Sequence, residues 1–397
     1  MKSNYLWKSA PVFMAFLCMG FGDVVGPMVS LAKESYQLSN FMAQLLPLMG
    51  FVLFGILSVP FGILQEKTGK KKLLVAGLFI ALAGMLLPVI NGMYGPVTSG
   101  TTGNGEYYII LAAILLLGAG ATILQVSGNP IMRDVSPEGK FSSNLSLGQS
   151  IKAVGSSMGF LIPPLVAVPL GLSWTLLFPL YSVLLLIAMI WMMVTPVEEK
   201  MAEKKEKRSF GLLSAASKIY IFLMVFGIFV YVGAEVSMSS GVPILVREKY
   251  GITSFGLLIA WSLFFLPILI GRFSGALLLR ILSPVKFLLI SVFVAMAGIL
   301  MMFTSSMEMA FAGIILVGLG FANIFPLIFS ITVDRYPEYT NELSGLMVSA
   351  IIGGALIPPV MGFIADATSV QTGFIVPLVC LLFILFITIT NLRNQKS

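Results

Sequence analysis

"TPVEEKMAEKKEKRS", residues 195–209, is the longest polar interruption in a chain of 397 residues that is otherwise strongly apolar. It falls halfway along the chain, and its reading decides the fold. A charge run of this kind is a solvated connector rather than a site. On both sides lie mostly apolar stretches of about 20 residues, the length a helix needs to cross the ~30 Å hydrocarbon core of a bilayer. Six candidate spans precede the run, starting near residues 9, 41, 73, 107, 143 and 172. Six more follow it, starting near residues 217, 255, 285, 309, 343 and 373. The expected fold is an all-α integral membrane protein of twelve transmembrane helices in two six-helix halves, 1–194 and 217–397, joined by a linker over 195–216.

Composition supports this reading. The chain is 58% hydrophobic and only 10% charged, against about 25% charged in soluble domains. Helices are expected because no water is present in lipid to satisfy backbone groups, so each segment must bond within itself. Barrel strands would be shorter and would alternate strictly, which these Leu/Ile/Phe/Met runs do not. The start, "MKSNYLWKSAP", reads as running into the first span rather than as a cleavable leader. The net charge of +7 does not point to nucleic acid, because the basic residues cluster in short loops. Cys18 and Cys380 both fall in apolar runs and form no disulfide framework. Histidine is absent altogether. That excludes His-ligated metal, Ser-His-Asp triads and histidine proton relays, and leaves any proton chemistry to carboxylates. No cofactor is expected.

The same basic residues set the orientation. Nineteen Lys/Arg fall on the side of both termini, against three (Lys33, Arg247, Lys249) on the other, with Lys152 and Arg272 within or near spans. Cytoplasmic loops carry the excess of positive charge, so both termini are expected in the cytoplasm.

Two six-span halves suggest a duplicated fold. "GILQEKTGKKK" (62–72) follows the second span, and "GRFSGALLLRILSPVK" (271–286) holds the matching place in the second half. The first resembles the loop signature of the major facilitator superfamily, with Glu66 in the acidic position. Further motifs stand in order: "GFGDVVGP", "LQVSGNP", "NLSLGQS", "YVGAE", "GRFSG" and "IIGGALIPPVMGFIAD". Together they resemble the fucose–galactose–glucose:proton symporter family within that superfamily, over essentially the whole chain.

Ionisable and amide groups inside spans are costly and so point to function. Asp23 lies in the middle of the first span among Gly20, Gly22, Gly26 and Pro27, which weaken the helix there. The resemblance implies a role for it in proton-linked sugar recognition. Gln125 and Asn129 are four apart and share a helix face. Gln125 stands where the symporters carry a glutamate, so the usual coupling acid is missing from that place. Ser146, Gln149 and Lys152 are spaced by three on the fifth span. For Lys152 three readings stay open: a charge pair with Asp23, a working cation that substitutes for a bound one, or an anchor for an anionic substrate. Glu235 in the seventh span is the second deep carboxylate. Asn323 marks the tenth span; sugar hydroxyls are expected to be held by Gln125, Asn129, Gln149 and Asn323, with Ser146 and Lys152 as further substrate-binding candidates, and Trp261 and Tyr231 are candidates to stack on a sugar face. The resemblance implies a central cavity lined by spans 1, 4, 7 and 10, which carry Asp23, Gln125 with Asn129, Glu235 and Asn323. Charges near span ends (Glu66, Lys67, Lys70, Arg133, Asp134, Arg272, Asp334, Arg335 and Asp366) read as gate or interface groups.

The resulting expectation is a secondary active importer of a hexose or deoxyhexose, not an enzyme. It would work by alternating access, coupled to protons through Asp23 with Glu235 as second acid, and would be a monomer in a bacterial inner membrane. Sodium coupling, uncoupled transport, an acidic or N-acetylated sugar and a multidrug exporter stand as alternatives. No HExxH, CxxC or Ser-Lys arrangement supports an enzyme, and no repeated filter loop supports a channel.

Overall fold

The computed structural model describes residues 2–94, 104–135, 141–196, 215–253, 256–279, 281–336 and 340–394. Most of the expected linker lies outside these residues. Among the described residues every regular element is helical, and twelve helices are long and apolar enough to cross a membrane. Spans 1–6 are Ser9–Ser35, Asn40–Gln65, Lys70–Ile90, Gly105–Met132, Ser150–Ala167 and Trp174–Val194. Spans 7–12 are Ser217–Glu248, Gly256–Gly275, Pro284–Met302, Met307–Thr332, Gly345–Ala367 and Val370–Leu392. The helix containing span 5 begins earlier, at Phe141.

The chain forms two compact units. One comprises residues up to Gln37 together with Met49–Lys205; the other comprises Leu38–Leu48 and Glu206 onward. The start of span 2 therefore belongs by its contacts to the second unit, which the expected boundary at residue 194 did not anticipate. The cause is local. The Asp366 carboxylate, at the end of span 11, accepts the backbone N–H of Asn40 and of Phe41, each at 2.7 Å. Gly362, one turn earlier, lies so close that a Cβ there would stand 2.8 Å from the Asn40 carbonyl.

Within each unit, small residues let neighbouring helices approach. This is the expected solution in lipid, where apolar surfaces gain little by burying one another and close packing must supply the attraction. Spans 3 and 4 meet through Gly77, Gly84 and Gly120, and spans 9 and 10 through Gly298, Gly313 and Gly320. Spans 1 and 5 also cross at close range. A side chain on Gly20 would collide with the Lys152 carbonyl, one on Gly155 with the Leu17 carbonyl, and one on Gly159 with Val24.

Prolines explain two of the helix irregularities. A proline withdraws the N–H that would bond to the carbonyl four residues earlier. Pro27 does this to Asp23, and span 1 tightens to a 3-10 turn over Gly20–Val24 between two α-helical parts. Pro326 does it to Ala322, and span 10 is interrupted at Ala322 and Asn323. Span 8 carries a π-turn over Trp261–Phe265.

Polar ties fasten the span ends. In the first unit Lys70 Nζ lies 2.6 Å from Asp134 Oδ2, and Lys71 Nζ donates to the carbonyls of Met193 and Thr195. In the second, the Thr304 carbonyl accepts from both Lys249 Nζ (3.1 Å) and Gln371 Nε2 (3.3 Å). Three loops on one face of that unit are thereby joined.

Candidate functional site

Asp23 owes its position to the glycine crossing of spans 1 and 5. That approach brings its carboxylate Oδ2 to 2.9 Å from Ser156 Oγ, which donates to it, and to 3.3 Å from Lys152 Nζ. Lys152 and Ser156 are one turn apart, so both reach the same oxygen. The Asp23 side chain is 32% exposed and that of Lys152 20%. The pair is thus held by protein yet open to a solute. Of the three readings of Lys152, the geometry shows the ion pair with Asp23.

Span 4 packs on this part of span 1. A Cβ on Gly22 would stand 2.9 Å from that of Ala121, and one on Gly128 would stand 3.1 Å from the Met19 methyl. Gln125 lies on the same helical face as Ala121 and Gly128. Gln125 Oε1 and Asn129 Oδ1 are shielded from solvent and accept no hydrogen bond among the described residues. A buried polar atom left without a partner costs about 1–3 kcal/mol. These two oxygens are therefore acceptors in want of a donor, such as a ligand hydroxyl. The side chains of Ser146 and Gln149 lie outside the described residues.

In the second unit, Glu235 Oε1 lies 3.6 Å from Arg272 Nη2. Sequence reading placed Arg272 among the gate charges; the structure pairs it with the deep carboxylate. Two other expectations are corrected. Tyr231 is wholly buried, with its ring against Phe321 and its hydroxyl donating to the Phe321 carbonyl, so it offers no open face for a sugar to stack on. Asn323 is buried and donates to the Gly271 carbonyl at 2.8 Å, where it fastens span 10 to span 8. Trp261 differs. It is partly exposed on its π-turn, and its indole N–H has no acceptor among the described residues.

The remaining end charges are placed as follows. Lys70 and Asp134 form the tie already described. Arg335 stacks over the Tyr220 ring at 4.2 Å, Lys67 and Asp334 are exposed, and the side chains of Glu66 and Arg133 lie outside the described residues. Ser156 was missed. A serine in a membrane helix usually bonds back to its own chain, and nothing in "KAVGSSMG" distinguishes Ser156, whose hydroxyl also lies 3.1 Å from the Lys152 carbonyl, from Ser157, which bonds back to Ala153. The glycine spacing Gly155–Gly159, a close-packing signature, was the available signal.

This arrangement belongs to a polytopic membrane protein with an ionisable group, Asp23, held at a helix break, which is the construction of a carrier. The profile of the Major Facilitator Superfamily matches residues 12–351, and the chain belongs to that family. It is similar to the glucose/galactose transporter of Brucella abortus (strain 9-941), with 26% identity covering 97% of this chain and 94% of that one. It is also similar to the L-fucose-proton symporter of Escherichia coli (strain K12), with 23% identity covering 92% and 88%. Among solved structures, FucP in the outward conformation superposes with a TM-score of 0.68 at 23% identity, covering 97% of this chain and 98% of FucP. A bacterial Spinster homologue in an inward-facing conformation gives the same TM-score at 13% identity, covering 100% and 97%. Structures in opposite conformations fit equally well, so this likeness speaks to the fold.

Proposed function

We propose that this protein carries a hexose or deoxyhexose into the cell by alternating access, in symport with a proton bound at Asp23. The reading rests above all on the Asp23 cluster: an ionisable, partly exposed carboxylate at a break in span 1, beside a helix face bearing two acceptors without donors. Sugar hydroxyls would donate to Gln125 Oε1 and Asn129 Oδ1, with Ser146, Gln149 and Lys152 contributing from span 5. Trp261 would offer an aromatic face and an N–H. Glu235, beside Arg272, is the second acid. The similarity to carriers named for glucose, galactose and fucose agrees with this polar, hydroxyl-matched set. Coupling follows from linkage: a sugar that binds the protonated carrier better raises the protonated population, and the proton raises sugar affinity equally. The setting is a bacterial inner membrane with both termini cytoplasmic, and the carrier works as a monomer.

The test is uptake and counterflow of labelled neutral sugars in proteoliposomes, with pH and sodium varied separately. An inward proton gradient should drive accumulation, and sodium should have no effect. Asp23→Asn should retain counterflow and lose accumulation. Accumulation unaffected by the proton gradient would overturn symport, and stronger competition by a uronate than by a hexose would overturn the neutral-sugar assignment.

A further inference from the structure

We infer that Asp366 is the catch of a hinged strap: it holds the first turn of span 2 on the second unit and releases it once in every transport cycle. The inference deepens the proposed function and rests on alternating access. Span 2 belongs to both units, with Leu38–Leu48 grouped with the second and Met49 onward with the first. A carrier whose units move during transport must therefore bend this span or free one end of it.

The strap is anchored on either side of that boundary and weak between. In the first unit Gly50 packs backbone to backbone on span 4, where a Cβ on Gly118 would collide with the Gly50 carbonyl. In the second unit the Asp366 carboxylate accepts the N–H of Asn40 and of Phe41, each at 2.7 Å, and Ser39 Oγ accepts that of Met42 at 3.2 Å. Between these anchors the helix is interrupted at Gln44, which separates Asn40–Ala43 from Leu45–Thr68. Pro47, in the next turn, has no N–H to give to the Ala43 carbonyl. The hinge therefore lies within the stretch that must bend.

The catch is built to let go. The N–H groups of a first helical turn have no partner within the helix, and water satisfies them when a side chain does not. Asp366 is exposed, as are its two bonds to span 2, so water can take its place. One turn deeper, Gln44 is buried and its Oε1 has no donor among the described residues. Its Cγ lies 2.9 Å from where a Cβ on Gly362 would stand, so the closed strap presses a dry amide against span 11. Asp366 holds the strap closed, and hydration of Gln44 favours its opening. In the proposed topology this end of span 2 faces outward, and the catch belongs to the outer gate. Asp366 acts through the span and is a positioning residue.

The experiment uses the full-length carrier, in nanodiscs where reagent reaches both faces and in proteoliposomes. Gln44→Cys reports opening through its rate of reaction with a maleimide, against the buried native Cys18 and Cys380. Adding Asp366→Ala should raise that rate about tenfold or more, as the loss of even one hydrogen bond to a charged group would. Asp366→Asn, which keeps one acceptor, should fall between. Asn40→Cys with Asp366→Cys should form a disulfide under oxidant that stops uptake and counterflow of a labelled hexose, and a reductant should restore both. A labelling rate unchanged by Asp366→Ala, a pair that forms no disulfide, or full transport through the oxidised pair would overturn the inference. If Asp366→Ala also exposes Cys380 the fold has loosened, and the disulfide decides. Absence of hexose transport in the wild type is failure of the sugar reading instead. Labelling then decides, and a Gln44→Cys that never reacts while Asp366 is intact would show a fixed brace and sink the catch too.

Discussion

Asp23 Oδ2 lies within reach of two donors, Lys152 Nζ at 3.3 Å and the Ser156 hydroxyl at 2.9 Å. Ser156→Ala removes that hydroxyl donor and should lower proton-driven sugar uptake. It should lower stability by about 1–2 kcal/mol, since the site is partly open to water; proteoliposome uptake and thermal unfolding in detergent read the two effects. At this scale the sequence was half legible. Asp23 and Glu235 stood out because carboxylates are costly in a span, and that cost does not depend on the neighbours. Lys152 stood out for the same reason, with a pair to Asp23 among its readings, but Ser156 and the pairing of Glu235 with Arg272 did not, because contacts between spans depend on which helix faces meet. Asn323 shows the converse: an amide in a span resembles a ligand until its N–H is found donating to the Gly271 carbonyl.

Between elements, the crossing of spans 1 and 5 carries the site. Gly155→Ala places a methyl against the Leu17 carbonyl. Forcing the helices apart should cost about 1–3 kcal/mol, lower the unfolding temperature and abolish sugar uptake by drawing Asp23 away from Ser156. Gly105→Ala, where a Cβ meets nothing within 4 Å, is the matched control and should change neither. Pro27 and the glycines around Asp23 announced a weakened helix, and the 3-10 turn over Gly20–Val24 lies there. The binding of the first turn of span 2 by Asp366 was not announced, because 325 residues or more separate the partners. Only their place at adjoining helix ends unites them.

For the molecule as a whole, charge distribution makes a prediction about sidedness. With both termini inside, Ser306 and Ser369 face outward, and Thr68 faces inward. Single cysteines at the two serines should react with an impermeant maleimide added outside intact cells, and one at Thr68 only after the inner face is exposed. The native Cys18 and Cys380 are buried and should stay silent. Labelling of Thr68→Cys from outside would invert the topology. The polar ties agree with a common face for one set of these loops: Lys249, Thr304 and Gln371 meet at a single carbonyl.

Span number, approximate span positions and the rarity of acids inside spans belonged to the sequence by itself. They follow from how each residue partitions between lipid and water, and that is a property of local composition. Tertiary structure chose the Asp23 pair among the readings open for Lys152, and it alone decided the contact of Asp23 with Ser156, of Glu235 with Arg272, and of span 2's first turn with Asp366. Each depends on the rotation and close approach of two helices, set by small residues that hydropathy does not weigh.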